Sequence, residues 1–179
     1  HAFIETGIKL REEHDLKPDQ IESIIVLAHP NQTAVCIPEE AKRRPQSSYQ
    51  AQFSVHFVTA AAICRGQFTL AEIEPDAYGD PEILSLCDKI HYNTTTDTLY
   101  PDYFSGTVVV RTKDGRELKH AQEYNLGTDE HPISEEQVLD KFMKNATSAV
   151  STSRAEEVRS IILSLEDQAD LDEFDSVIS

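Results

Sequence analysis

Hydrophobic and polar positions follow three different patterns over the first part of the chain. Phe3, Ile4 and Ile8 recur at helical spacing and predict a helix over residues 2–13. The next apolar stretch, IESIIVLA at residues 21–28, is rich in β-branched side chains and predicts a buried strand. Residues 30–45 are polar and contain three prolines, which indicates a long irregular connection of the kind that is often functional.

A single helix is predicted from Ser48 to Cys64. Ser47 or Ser48 can cap its start, and Gly66 suits its end. Helical spacing places one apolar set on a shared face, namely Phe53, Phe57, Ala60 and Cys64, joined by His56 and Ile63.

The second half of the chain favours short strands followed by helices. Short helices are expected from Thr69 and over residues 81–89, then strands over 89–97, 105–113 and 116–125. The last two strands are separated by Asp114-Gly115, a strong hairpin signal. Capping-box serines at Ser134 and Ser153 open two further helices. Clustered, partly hairpin-linked strands predict the α+β class, with a small, mainly antiparallel sheet, helices packed on it and C-terminal helices.

Charge narrows the range of partners. The chain has 16 basic and 32 acidic residues, a formal net charge of −16, which disfavours nucleic acid and anionic membranes. No apolar run approaches the roughly 20 residues of a membrane span. Three cysteines without CxxC spacing fit a reduced, cytoplasmic protein. We expect one domain over residues 1–150, followed by a C-terminal helix and acidic tail over 151–179.

Metal and cofactor chemistry finds no support in the motifs. The seven histidines form no HxxxH or HxH pair, so no metal ligands are predicted. Glycine-rich phosphate loops and GxSxG elbows are also missing from the sequence, and no cofactor is expected.

The better candidate for chemistry is a cationic group just before the predicted helix. Lys42, Arg43 and Arg44 would lie near unpaired N–H groups at the helix start, and guanidinium groups bind carboxylates in a bidentate manner. These three residues are predicted to bind an anionic carboxylate substrate. The alternative is that one arginine pairs locally with Glu39 or Glu40 while the others are solvated.

Several segments, taken in order, resemble the C-terminal part of the MmgE/PrpD family. They begin with HAFIETGIKL and the IESIIV strand, and the similarity is clearest in RRPQSSYQAQFSVHFVTAAAICRG. It continues through DPEILSLCDKI, VVVRTKDGRE and GTDEHPISEEQVLDKF. No single segment is specific, but their order and spacing make chance agreement improbable.

The resemblance implies a small α+β lid domain that closes over a site carried mostly by a separate helical domain, which this chain lacks. It implies a lyase or isomerase, meaning a dehydratase, decarboxylase or epimerase, acting on a small polycarboxylate such as 2-methylcitrate without a metal. His1 corresponds to a histidine near the substrate and becomes the candidate catalytic residue.

The same resemblance places the loop around Arg43 and Arg44 near the cleft and adds His56 to the substrate-binding set. Some family members have a tyrosine in this helix where the present chain has His56 and Phe57, so the substrate stays open. Taken alone, a histidine on an apolar helix face is more often a packing residue. A homodimer is expected only for a full-length protein. The alternative function is a non-catalytic ligand-binding or interaction module with the same fold.

Overall fold

The computed structural model describes residues 1–168 and 170–178, and these form two compact units. The first unit runs from His1 to His131 and combines a sheet with helices, while the second begins at Pro132 and is helical. The α+β class predicted from the sequence is confirmed. The division into residues 1–150 and 151–179 stays a prediction.

The sheet of the first unit has four strands in the order β2-β1-β3-β4. They are β1 (Ile21–Ala28), β2 (Ile90–Thr94), β3 (Gly106–Thr112) and β4 (Glu117–Gln122). β1 is parallel to β2 and antiparallel to β3, which is antiparallel to β4. The sheet is therefore mainly antiparallel, as expected. β2 is shorter than predicted and ends level with the end of β1, where Ala28 pairs with Thr94.

The hairpin between β3 and β4 forms at the predicted dipeptide. Gly115 has a positive φ of 87°, a backbone region that glycine adopts without strain. Its N–H donates to the carbonyl of Thr112, and the N–H of Thr112 donates to Arg116. The turn therefore sets the register in which Arg111 faces Glu117.

Among the described residues, six α-helices belong to the first unit and three to the second. In the first they are α1 (Ala2–His14), α2 (Glu39–Arg43), α3 (Ser48–Gln52), α4 (Val55–Arg65), α5 (Pro75–Tyr78) and α6 (Pro81–Cys87), with 3₁₀ turns at Pro18–Gln20, Pro30–Val35 and Leu70–Ile73. In the second they are α7 (Glu135–Ala146), α8 (Thr152–Leu163) and α9 (Asp172–Ile178), with a 3₁₀ turn at Leu165–Asp167.

Helix α4 is the centre of the first unit, and every residue from Val55 to Cys64 is buried. The other helices surround it, with α1, α6, α2 and α3 in contact with it. One face of the sheet completes the core through alternate residues of β1 and β3, namely Ile24, Val26, Ala28, Val108 and Val110. A helix buried on all sides fixes the position of each element around it.

The prediction of a single helix from Ser48 to Cys64 is wrong, because two helices, α3 and α4, occupy this stretch. The chain leaves helical geometry at Phe53, and Ser54 caps a new helix by accepting a hydrogen bond from the N–H of Phe57. The hydroxyl of Ser54 also donates to the carbonyl of Lys42. Phe53 is consequently 44% exposed instead of lying on the core face.

The second unit buries few side chains. Among its described residues, Ala155, Ile161 and Val177 are the buried hydrophobic ones, and α7 has none. In the described part of the chain, no helix combines the length and the apolar character that crossing a membrane requires.

Gly106 offers a test of the packing between α1 and the sheet. A Cβ at this position would lie 2.7 Å from Cε1 of Phe3, too close for real atoms. We expect Gly106→Ala to lower the free energy of unfolding by about 1–3 kcal/mol. Urea unfolding would measure this change.

The control is the same substitution in a Phe3→Leu background, where the smaller side chain relieves the overlap. Gly106→Ala should then cost clearly less. An equal cost in both backgrounds would contradict the steric explanation.

Candidate functional site

The predicted cationic group forms the end of α2 and the residue after it. Lys42 and Arg43 lie in the last turn of α2, and Arg44 follows directly. The Nζ of Lys42 donates to the carbonyl of Phe53 at 2.6 Å. Together with the hydrogen bond from Ser54 to the Lys42 carbonyl, this contact joins α2 to the break between α3 and α4. The ammonium group of Lys42 therefore has an internal partner.

Arg44 forms hydrogen bonds with both carboxylate oxygens of another residue of this chain, Asp88. Its Nη2 lies 2.7 Å from each carboxylate oxygen of Asp88, and its Nη1 donates to the carbonyl of Leu84 at 3.3 Å. Asp88 and Leu84 lie at the C-terminal end of α6, where carbonyl groups lack helical partners and attract cations. Arg44 thus fastens the segment after α2 to the end of α6.

Arg43 is more deeply placed than its two neighbours. Its Nη2 donates to Oε2 of Glu39 at 2.6 Å and to the carbonyl of Ile90 at 2.7 Å. Ile90 is the first residue of β2, so Arg43 ties α2 to the sheet. The Nε of Arg43 is buried and has no hydrogen-bond partner in the part of the chain that the structure describes.

His56 meets the same carboxylate oxygen from inside the core. Its side chain is fully buried, and its Nε2 lies 3.1 Å from Oε2 of Glu39. The hydrogen bond to a carboxylate assigns the proton of the neutral ring to Nε2, which leaves Nδ1 as a lone pair. Nδ1 is buried and has no hydrogen-bond partner within residues 1–168 and 170–178. Glu39, Arg43 and His56 are called the Glu39 cluster below.

Burial is the main influence on the protonation of His56. Removal from water lowers the pKa of His56, and the electrostatic influence of Arg43 and of His91 lowers it further, while the hydrogen bond to Glu39 opposes the shift. The pKa of His56 therefore lies below its ordinary value, and the neutral form is favoured in the folded protein.

His1 belongs to another part of the unit. It is exposed and precedes α1 without a side-chain cap. In the orientation that satisfies both bonds, the side-chain amide of Asn125 accepts from the N–H of Ala2 and donates to the carbonyl of Phe104, both at 3.1 Å. These contacts hold the start of α1 against the loops that flank β3 and β4.

The strand register separates His1 from the Glu39 cluster. Phe3, next to the start of α1, packs on Gly106, which lies level with Ala28 of β1. Arg43 instead holds Ile90, which pairs with Ile24. The two levels are four residue steps apart along β1, which corresponds to about 13 Å along the strands.

The predicted residues therefore fall into three groups. Arg43 and His56 meet at one carboxylate, Lys42 and Arg44 lie on the same segment with other partners, and His1 lies elsewhere. Their roles in binding and catalysis stay predictions. Local pairing of one arginine with Glu39, the alternative considered for this loop, is present for Arg43.

The sequence reasoning did not identify Glu39 as the centre of a cluster. The i, i+4 spacing of Glu39 and Arg43 was the available signal. The link to His56, 17 positions away, had no local signal. Within the described residues, no group of three or more His, Cys, Asp or Glu side chains is arranged to hold a metal ion.

Comparison with known families supplies an assignment that the geometry alone leaves open. Residues 1–167 match the MmgE/PrpD C-terminal domain. The chain belongs to the MmgE/PrpD family. The resemblance inferred from the sequence is confirmed, and the first unit lies wholly within the matched MmgE/PrpD region.

Curated relatives carry the name cis-aconitate decarboxylase. The chain is 29% identical over 143 residues to the cis-aconitate decarboxylase-like protein oryM of Aspergillus oryzae, covering 79% of this chain and 29% of the relative. Cis-aconitate decarboxylase of Aspergillus terreus is 30% identical over 139 residues, which is 75% of this chain and 28% of that protein. The human cis-aconitate decarboxylase is 27% identical over 160 residues, which is 88% of this chain and 32% of that protein. The chain thus spans less than a third of the length of these relatives.

Removal of Glu39 tests whether the cluster holds the segment in place. Glu39→Ala would leave the guanidinium of Arg43 and the buried ring of His56 without their shared acceptor. We expect a loss of about 2–4 kcal/mol in the free energy of unfolding. Chemical denaturation monitored by circular dichroism would measure it.

Glu40 provides the matched control, because it is the next residue of α2 and is exposed. Glu40→Ala should change stability by less than about 0.5 kcal/mol. Equal effects of the two substitutions would show that the Glu39 contacts contribute nothing specific.

Proposed function

We propose that this chain is the C-terminal domain of an MmgE/PrpD-type lyase acting on a small polycarboxylate. The match of residues 1–167 to the family's C-terminal domain carries the proposal. The names of the relatives favour a decarboxylase of a cis-aconitate-like acid over a dehydratase of 2-methylcitrate. An isomerase of the same family is the remaining possibility within this class.

The chemistry of such an enzyme matches the residue types of this domain. Decarboxylation of a polycarboxylate requires cations that hold the anionic groups while charge develops, and an acid that delivers a proton to carbon. In the proposal, Lys42, Arg43, Arg44 and His56 belong to the substrate-binding side, and the exposed imidazole of His1 exchanges the proton. No step of this proposal uses a metal or cofactor.

The internal partners of the cations refine this role. Arg44 and Arg43 each already bind a carboxylate, so a substrate would have to share or replace Asp88 or Glu39. Among the described residues, the hydrogen-bond partner of the Lys42 ammonium is a carbonyl oxygen, so Lys42 loses less on exchange, because a charge-assisted pair with a carboxylate is the stronger bond. Within the loop, Lys42 is therefore the cation that we expect to reach substrate first.

The remainder of the catalytic site is assigned to a helical domain outside this chain. The lengths of the relatives support this assignment, since the chain spans only 28–32% of the length of each of them. The proposal further includes a homodimer of the complete protein, a cytoplasmic location, and no nucleic acid or membrane partner.

A second function, a ligand-binding module without catalysis, is favoured by one observation. The chain spans less than a third of the relatives and still forms a first unit with its own core. Calorimetric titration of the chain with citrate or cis-aconitate separates the two functions. Binding by the chain alone would favour the module, and binding only by a longer gene product would favour the lyase domain.

A substitution at His1 tests the lyase proposal. In the complete gene product, His1→Ala should lower kcat for the polycarboxylate by about 100-fold or more, because proton transfer by a positioned side chain contributes at least that much. The measurement is product formation with cis-aconitate followed by chromatography.

His14 is the control, since it is an exposed histidine at the other end of α1. His14→Ala should leave kcat within about twofold of the unsubstituted protein. Unchanged turnover in His1→Ala would remove His1 from the proposed site.

A further inference from the structure

Two short helices between residues 39 and 54, α2 and α3, are attached to the core mainly by polar contacts instead of apolar packing. α2 buries none of its residues, and α3 buries only Ala51. Lys42 binds the carbonyl of Phe53, and Arg43 and Arg44 bind carbonyls or carboxylates of β2 and α6. The position of residues 39–44 therefore depends on hydrogen bonds and charges more than on the hydrophobic effect.

The most deeply buried of these contacts, between Glu39 and His56, depends on the protonation of the His56 ring. In the closed arrangement, neutral His56 donates from Nε2 to Glu39, and its buried Nδ1 has no partner among the described residues. Protonation would place a hydrogen on Nδ1 with no acceptor and a second positive charge close to Arg43. Once residues 39–44 separate from α4, His56 is hydrated and protonation carries no such cost.

We propose that Glu39, Arg43 and His56 form a pH-sensitive clasp, which holds residues 39–44 on α4 and β2 while His56 is neutral and releases them as His56 takes up a proton. Release frees Lys42 and Arg43 from their internal partners, so the clasp controls which cations are available to an anion. The inference goes beyond the proposed function. Its test measures no turnover, so the pH-sensitive clasp and the proposed function can fail independently of each other.

Burial sets the direction of the pKa shift of His56, because its charged neighbours act in opposite senses: Arg43 and His91 lower the pKa, whereas Glu39 raises it. Glu39 and Arg43 face His56 from α2, and His91 acts on it from β2. Arg11 of α1 lies at the far end of α4, bound to the carbonyls of Ile63 and Cys64. The ionisable groups on the other elements packed against α4 are Glu5, Lys9, Glu12, Glu13 and His14 of α1, Tyr49 of α3, and Glu82 and Cys87 of α6.

The direction of the pH effect follows from proton linkage. Burial lowers the pKa of His56 in the closed state, whereas the open state regains an ordinary histidine value of about 6.5. The open state therefore binds more protons as the pH falls below about 6.5. The opening equilibrium should rise by up to about tenfold for each pH unit, until the closed-state pKa is passed.

Hydrogen exchange measured by mass spectrometry on the whole chain tests the clasp. Protection factors corrected for the intrinsic exchange rate would be compared between pH 7.5 and 5.5 for peptides covering residues 39–53 and for peptides of β1. We expect protection over 39–53 to be lower than in β1 at both values, and to fall about tenfold at pH 5.5. An equal loss of protection over residues 39–53 and in β1 would mean global unfolding and would overturn the proposal.

His56→Gln removes the titration while keeping an N–H donor near the position of Nε2. Its protection over 39–53 should be the same at both pH values. His120→Gln is the matched control, because His120 pairs with Glu13 away from the clasp, and it should retain the pH dependence of the unsubstituted chain. A pH dependence that persists in His56→Gln would overturn the proposal.

A nitrogen-15 NMR titration of the unsubstituted chain covers the case in which His56→Gln does not fold. The expected signature is an Nε2–H tautomer at neutral pH and a shift of the backbone signals of residues 39–44 that follows the protonation of His56. An Nδ1–H tautomer, or a histidine that titrates above its ordinary pKa, would equally overturn it.

Discussion

The complete burial of α4 is the constraint on which the rest of the first unit depends. A helix whose residues from Val55 to Cys64 are all buried requires neighbours around its whole circumference. The sheet supplies one side, and α1, α6, α2 and α3 supply the others. Gly7 of α1 illustrates how close this packing is, because an added Cβ would lie 3.0 Å from the Cβ of Ala62. The small side chains of α4 are therefore a condition for the arrangement of the helices.

Burial on all sides has an electrostatic consequence at His56. A polar ring in the centre of a core needs a hydrogen-bond partner, and Glu39 provides one from a half-exposed position. Arg43 balances the carboxylate and at the same time binds the first carbonyl of β2. One oxygen atom of Glu39 thus links α2, α4 and, through Arg43, the sheet, and this link positions residues 42–44.

Much of the fold was predictable from local signals, and the failures have physical causes. The strand at residues 21–28 and the Asp114-Gly115 turn were found because β-branched runs and positive-φ glycines act locally. The break at Ser54 was missed because apolar spacing continued through Phe53. Ser54 can bond both the next helix and the Lys42 carbonyl, and the second bond exists only after the chain folds back.

The sequence by itself determined the family, the α+β class, the hairpin and the types of residue available for binding a carboxylate. Each of these rests on neighbours in the chain or on the order of motifs. Only the tertiary structure decided which cations have partners, that Glu39 joins Arg43 to His56, and that Phe3 and Arg43 contact the sheet at levels about 13 Å apart along the strands. The reason is that these contacts join residues as far apart as Arg44 and Asp88, whose approach is set by the packing around α4 and not by local preference.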